Sequence, residues 1–226
     1  MLDHSPESRS TLIFGRKGSG KTSFALRYLL NRAQEQPLND NPACCTFIFD
    51  YKLEASQRLG IPGVGTEAQC LAALASRMVC FNPRIMFPPA ADENFEGADR
   101  RAFRWFCQWV FSICKCGPGN KVFFCDEMRR FIPSRSDLIP VEVDQIFREG
   151  RALGIETVLS TQYPRDFSKN IREEVTEWVC FNINEPDNLD TVRPYFGGVD
   201  RVTRLRPGEF IAYDRESGLE RAGKLF

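Results

Sequence analysis

The chain has 226 residues, with 30 Lys plus Arg against 30 Asp plus Glu, so its formal net charge is zero. That length suits one domain large enough to bury a core. The charge balance excludes a global electrostatic draw to nucleic acid or membrane and leaves any such role to local clusters.

Residues 1–10 read as a loose leader with neither the basic nor the apolar region of a signal peptide, so none is expected. The leader holds His4, the only histidine, which excludes His-based acid–base chemistry and His-rich metal sites. Thr11–Phe14 predicts a short buried strand. Gly15-Arg16-Lys17-Gly18-Ser19-Gly20-Lys21-Thr22 then matches the phosphate-loop pattern G-x-x-x-x-G-K-[ST]. Its glycines let the backbone curl so that N–H groups face phosphate oxygens. Lys21 is placed to reach the β- and γ-phosphates, and the Thr22 hydroxyl to hold Mg²⁺. Ser23 opens a predicted helix whose N-terminal dipole favours an anion.

The helix fades at Gln34–Pro37, and Leu38–Ala43 reads as a loop. Thr46–Asp50 has the shape of a second buried strand ending in an acid. Asp50 is either a ligand residue at the strand's C-terminal edge or a turn cap. A short helix is expected over 67–76 and a third strand over Met78–Phe81. The Pro-rich stretch 83–98 reads as a surface insertion. Asp99 is expected to cap a helix over Arg100–Cys116. Phe103, Phe106, Val110 and Ile113 form one apolar stripe there, and Trp105 with Trp109 a second. The second stripe is either core or a subunit interface. Arg100, Arg101 and Arg104 crowd the helix start, facing solvent, a phosphate or a partner carboxylate.

Gly117–Asn120 reads as a turn. Lys121–Glu127 is an apolar strand ending in two acids. Asp126 at its tip suits the Mg²⁺ shell, and Glu127 suits the orientation and deprotonation of attacking water. Nucleotide kinases and GTPases usually lack that second acid, so it argues for hydrolysis, and no N-K-x-D motif for reading guanine is present. After a loop with Arg129, Arg130 and Arg135, Val141–Leu153 predicts a helix carrying Arg148 and Arg151. Ile155–Gln162 predicts a strand. Gln162 is either a contact to γ-phosphate or water, or a turn residue before Pro164. Trp178–Ile183 reads as a further strand, followed by a short helix near Pro186–Tyr195. Residues 209–226 read as a β-hairpin. The 9 cysteines form no C-x-x-C pair, and Cys80, Cys125 and Cys180 sit in apolar runs, so they read as buried thiols in a reducing compartment.

Together, the loop at 15–22, the Asp126-Glu127 strand end and Gly150-Arg-Ala-Leu-Gly-Ile-Glu-Thr-Val-Leu-Ser-Thr-Gln-Tyr-Pro164 resemble the FtsK–HerA superfamily of DNA-pumping ATPases. The last stretch is the most specific part, and Arg206–Ile211 is also similar to the family. The resemblance runs from residue 11 to about 225. With only a motor core, the chain looks most like the genome-packaging ATPases of tailless icosahedral viruses with an internal membrane. The resemblance implies an α/β, RecA-like P-loop NTPase core of the additional-strand catalytic-Glu type. That core has a mostly parallel sheet with helices on both faces, and this chain adds a C-terminal hairpin. It implies ATP with Mg²⁺, a homo-oligomeric ring (often a hexamer) and double-stranded DNA in the pore. Capsid-vertex or viral membrane proteins are possible partners, and the location is host cytoplasm and packaging vertex. It also implies an arginine finger from a neighbouring subunit, with Arg148 and Arg151 as candidates and Arg151 nearer the family's Gly-Arg pattern. Arg16-Lys17 departs from the small or polar residues usual there. A filamentous-phage-type assembly or secretion ATPase and a nucleotide-gated binding switch are the alternative readings.

Overall fold

A computed structural model describes residues 9–34, 44–117, 119–132, 139–167 and 169–226. His4 and most of the leader, the loop at 38–43, Pro118 and Arg135 lie outside the described residues. The first strand, β1 (Ser10–Phe14), leads through the glycine-rich loop into α1 (Lys21–Gln34). Next come β2 (Cys45–Phe49), α2 (Glu54–Leu59), α3 (Glu67–Ala73), β3 (Met78–Phe81) and the single turn α4 (Pro83–Met86). The long α5 (Phe95–Cys116) precedes β4 (Lys121–Cys125), α6 (Val141–Arg148) and β5 (Ile155–Thr161). The rest is α7 (Lys169–Glu174), β6 (Glu177–Cys180), α8 (Pro186–Val192), α9 (Asp200–Thr203), β7 (Glu209–Asp214) and β8 (Glu220–Lys224).

These strands form one eight-stranded sheet in the order β3-β2-β4-β5-β1-β6-β7-β8. The first six run parallel, and β7 and β8 turn back antiparallel. Alternate residues point to opposite faces of a strand, and both faces here are apolar. Phe14, Phe49, Phe123 and Trp178 pack on one side with α5 and α6, while Ile13, Ile48, Phe124 and Val179 pack on the other with α1. That is why the strands read as continuous apolar runs. The 9 cysteines are all free. Burial pushes most of their thiols up, Cys80 to about 12 and Cys45 to about 11, so they stay protonated.

One expectation is corrected. Asp99 does not cap the long helix. It begins earlier, at Phe95, where the Asn94 carboxamide oxygen accepts from the Gly97 N–H at 2.8 Å. Asp99 lies inside that helix, buried and ion-paired to Arg130 at 3.0 Å. The stretch 83–98 contains α4 and the first turn of α5. Of the two readings of the Trp105–Trp109 stripe, core is the one observed: Trp109 packs edge-on to Phe47, and Trp105 lies against Phe81 and Phe87. Arg100, Arg101 and Arg104 meet Glu96, Glu93 and Glu142 of the same chain.

Candidate active site

The loop leaves β1 through Gly15, whose φ of 151° places the chain against β6. A Cβ there would stand 2.6 Å from the Phe181 Cβ, closer than packed carbons approach. The Arg16 N–H donates to the Asn182 carbonyl at 2.8 Å, and the Ser19 N–H to the Arg16 carbonyl at 3.3 Å, which closes the curl. From the far side the Gly208 N–H donates to the Ser19 carbonyl at 2.9 Å, and Leu225 packs on Gly20. The loop is therefore braced by β6 and by the hairpin. Gly15→Ala is expected to destabilise the fold by about 3 kcal/mol through overpacking and strain. Denaturant unfolding checks this, and an unchanged midpoint would mean the loop is not packed this way.

Inside the loop, the Lys21 ammonium donates to the Gly15 carbonyl at 2.8 Å and the Arg16 carbonyl at 3.1 Å. Burial pulls its pKa below the ordinary value, and Glu127 and Asp126 pull the other way. Ser19 Oγ is buried inside the curl without a hydrogen-bond partner among the described residues. Arg16, Lys17 and Gly18 are exposed at the tip, and Ser23 is exposed on the first turn of α1, where it accepts from Arg58 at 3.1 Å.

Thr22 and Asp126 line one small pocket, together with Asp50, Tyr51 and Lys52. The ends of three neighbouring strands bring these groups together. β4 lies between β2 and β5, and the register pairs Phe49 with Cys125 and Cys125 with Leu159. One residue further on, the Ser160 hydroxyl donates to Asp126 Oδ1 from one side, while Lys52 Nζ donates to Oδ2 at 3.0 Å from the other. Glu127 follows with φ of 47°, a left-handed conformation that costs a non-glycine residue energy and recurs at functional sites. Its carboxylate accepts from Gln162 Nε2 at 2.8 Å. Sequence motif and strand end thus converge on one edge.

Asp50 follows the second of its two readings, and Arg129, Arg130, Arg148 and Arg151 are paired within the chain. Asp50 is a cap: its buried carboxylate accepts the Ala55 and Ser56 N–H groups at 3.1 and 2.7 Å. Arg130 is committed to the buried Asp99 and to the Tyr51 ring. Arg129 pairs with Asp166 at 2.9 Å, and about half its side chain stays in solvent. Arg148 pairs with Asp144 and Arg151 with Glu216, both at 3.3 Å and both about half exposed. Lys52 and Ser160 were missed. Their only sequence signal was position, each ending or following a strand adjacent to the Asp126 strand.

The donors suit a nucleotide with a hard divalent cation. They comprise an orphaned hydroxyl inside the glycine curl, a lysine, a threonine hydroxyl and a carboxylate. Fold and site together define the class, an α/β P-loop NTPase core. Neither a family model nor a curated protein matches the chain. Among solved structures it is similar to the genome packaging NTPase B204 of Sulfolobus turreted icosahedral virus 2 in complex with AMP. The TM-score is 0.65 at 19% identity, over 99% of this chain and 100% of that one. It is similar to VirB4 of Thermoanaerobacter pseudethanolicus at TM-score 0.66 and 11% identity, over 99% and 91% of the two chains. The N-terminal domain of zonular occludens toxin from Neisseria meningitidis follows at TM-score 0.51 and 16% identity, over 97% and 95%. The likeness is one of fold.

Proposed function

We propose that this chain is an ATPase that drives double-stranded DNA into a viral capsid. The carrying observation is the shared pocket of Thr22 and Asp126, with the Glu127–Gln162 pair at the next residue along the strand end. Likeness in fold to a genome packaging NTPase supports the choice of cargo. Residues 11–226 act as a single motor domain behind the 1–10 leader.

Lys21, Thr22, Ser23 and the loop N–H groups not already given to carbonyls hold the phosphates, the Gly15–Gly20 curl and the Ser19 hydroxyl shaping the cradle and Arg16 and Lys17 adding charge at the tip. Thr22 and Asp126 hold Mg²⁺, which supplies charge neutralisation at the phosphate oxygens. Glu127 accepts the proton of the attacking water. Gln162, bonded to Glu127, senses whether the γ-phosphate is present. An arginine of a neighbouring subunit, Arg151 or Arg148, offsets the charge that develops in the transition state. Its present carboxylate partner is solvent-exposed, so releasing it costs little. Subunits assemble as a ring, a hexamer, around the duplex. Arg129 is a candidate to grip the backbone. Work at the capsid vertex from the host cytoplasm follows from this cargo.

Light scattering with ATPase rates, measured with and without duplex DNA, tests the reading. A ring whose turnover rises with DNA, and falls back as salt releases the backbone, is the expected result. Doping with Arg151→Ala subunits should depress turnover more than in proportion to their share. A DNA-blind monomer would favour a nucleotide switch instead.

A further inference from the structure

Lys52 has no assigned role, yet it lines the pocket that Thr22 and Asp126 share. The turn that carries it is rigid. Asp50 clamps the start of α2, and Leu53 sits at φ of 60° as that helix's N-cap. Tyr51 is buried beneath Phe131, and the Lys52 ammonium lies 5.2 Å from the Tyr51 ring centre. From this base the ammonium reaches Asp126 Oδ2 at 3.0 Å, with 37% of the lysine side chain and 13% of the aspartate exposed. Burial pulls the Lys52 pKa down, but Asp126 and Tyr51 more than reverse this, so it is charged. An ion pair this open contributes little to stability, so holding the sheet together is a poor reason for it.

Charge balance suggests a better one. Without nucleotide, Lys21 and Lys52 offset Asp126 and Glu127, while the other two acids of the pocket are taken up elsewhere, Asp50 by the Ala55 and Ser56 N–H groups and Glu54 by Arg58. A triphosphate carries more negative charge than its divalent cation returns, and that cation takes up the Asp126 carboxylate. An ammonium already in the pocket is then left facing phosphate. We propose that Lys52 reads the terminal phosphate of a nucleoside triphosphate, pairing with Asp126 in the nucleotide-free chain and trading that carboxylate for the γ-phosphate when a triphosphate enters. This rests on the nucleotide-site reading of the loop. It makes Lys52 a discriminator between triphosphate and diphosphate, acting within its own subunit and independently of any arginine finger.

The test is equilibrium binding, with no turnover needed. Fluorescent mant-AMPPNP and mant-ADP are titrated into wild type, Lys52→Gln and Lys52→Arg, each with Mg²⁺ and with EDTA, after thermal melts show all three folded. Lys52→Gln is expected to weaken AMPPNP about tenfold or more, the loss of a hydrogen bond to a charged group. ADP should shift less than about twofold. The gap should shrink in EDTA, where no cation takes up Asp126 and Lys52 keeps that carboxylate as its partner, and Lys52→Arg should restore most of the gap in Mg²⁺. Equal weakening of both nucleotides, or no change in either, overturns the inference. If wild type binds neither nucleotide, the loop reading itself falls. If wild type binds both and Lys52→Gln matches it, only the role of Lys52 falls.

Discussion

Lys21→Ala is expected to reduce ATP turnover by at least about 10²–10³-fold, the scale set by removing one preorganised donor from a developing anion. Two features of the loop make the loss severe. The ammonium is buried, so no water molecule can take its place without reorganising the curl. Its present partners are the Gly15 and Arg16 carbonyls, so the cation is already aimed inward and needs only a short swing to reach phosphate. The fold should survive. Two loop carbonyls lose a donor, at a cost on the order of 1 kcal/mol, while the Asn182 and Gly208 contacts that brace the loop remain. Phosphate release and a thermal melt on the same sample separate the two effects. Turnover within a fewfold of wild type would remove the loop from the chemistry.

Glu127→Gln is expected to lower turnover by about 10²–10⁴-fold while leaving nucleotide affinity nearly unchanged. The substitution keeps the size of the side chain and an oxygen that accepts from Gln162 Nε2, so the pair persists. What it removes is the lone pair basic enough to take a proton. The left-handed backbone at 127 is equally strained in both, so stability should move by less than about 0.5 kcal/mol. A chain that binds nucleotide and hydrolyses it slowly is the expected outcome. Hydrolysis at the normal rate would pass the base role to another group.

Much of this site was legible in the residues because its chemistry is local. The phosphate loop is eight consecutive residues between a strand and a helix, and Asp126-Glu127 stands directly after an apolar run. The parallel strands were visible because both faces are covered and every residue from Val122 to Cys125 is buried. What escaped depends on sheet order. Nothing local says that β2 and β5 flank β4, so nothing local aims Lys52 and Ser160 at Asp126. Asp99 misled for a related reason. An acid before a helix-like run looks like a cap, but Asn94 five residues earlier had already started the helix, and Arg130 from another segment supplied Asp99 with its partner. The Trp105–Trp109 stripe left core and partner surface both open because its cover, Phe87 and Phe81, comes from elsewhere in the chain.

The position of β1 between β5 and β6 also governs how the protein comes into being. The strand that carries the phosphate loop is translated first, yet the Ser10 N–H finds its partner on Thr176, 166 residues later. While the ribosome is still making the middle of the chain, β2, β3 and β4 can pair with one another, but β1 has neither neighbour to join. The nascent protein therefore cannot gain its phosphate cradle until β6 has left the exit tunnel, and the cradle's outer brace waits for Gly208 and Leu225. Such late, long-range closure is slow and leaves sheet edges open meanwhile, so expression at lower temperature or with chaperones in excess should raise the soluble yield.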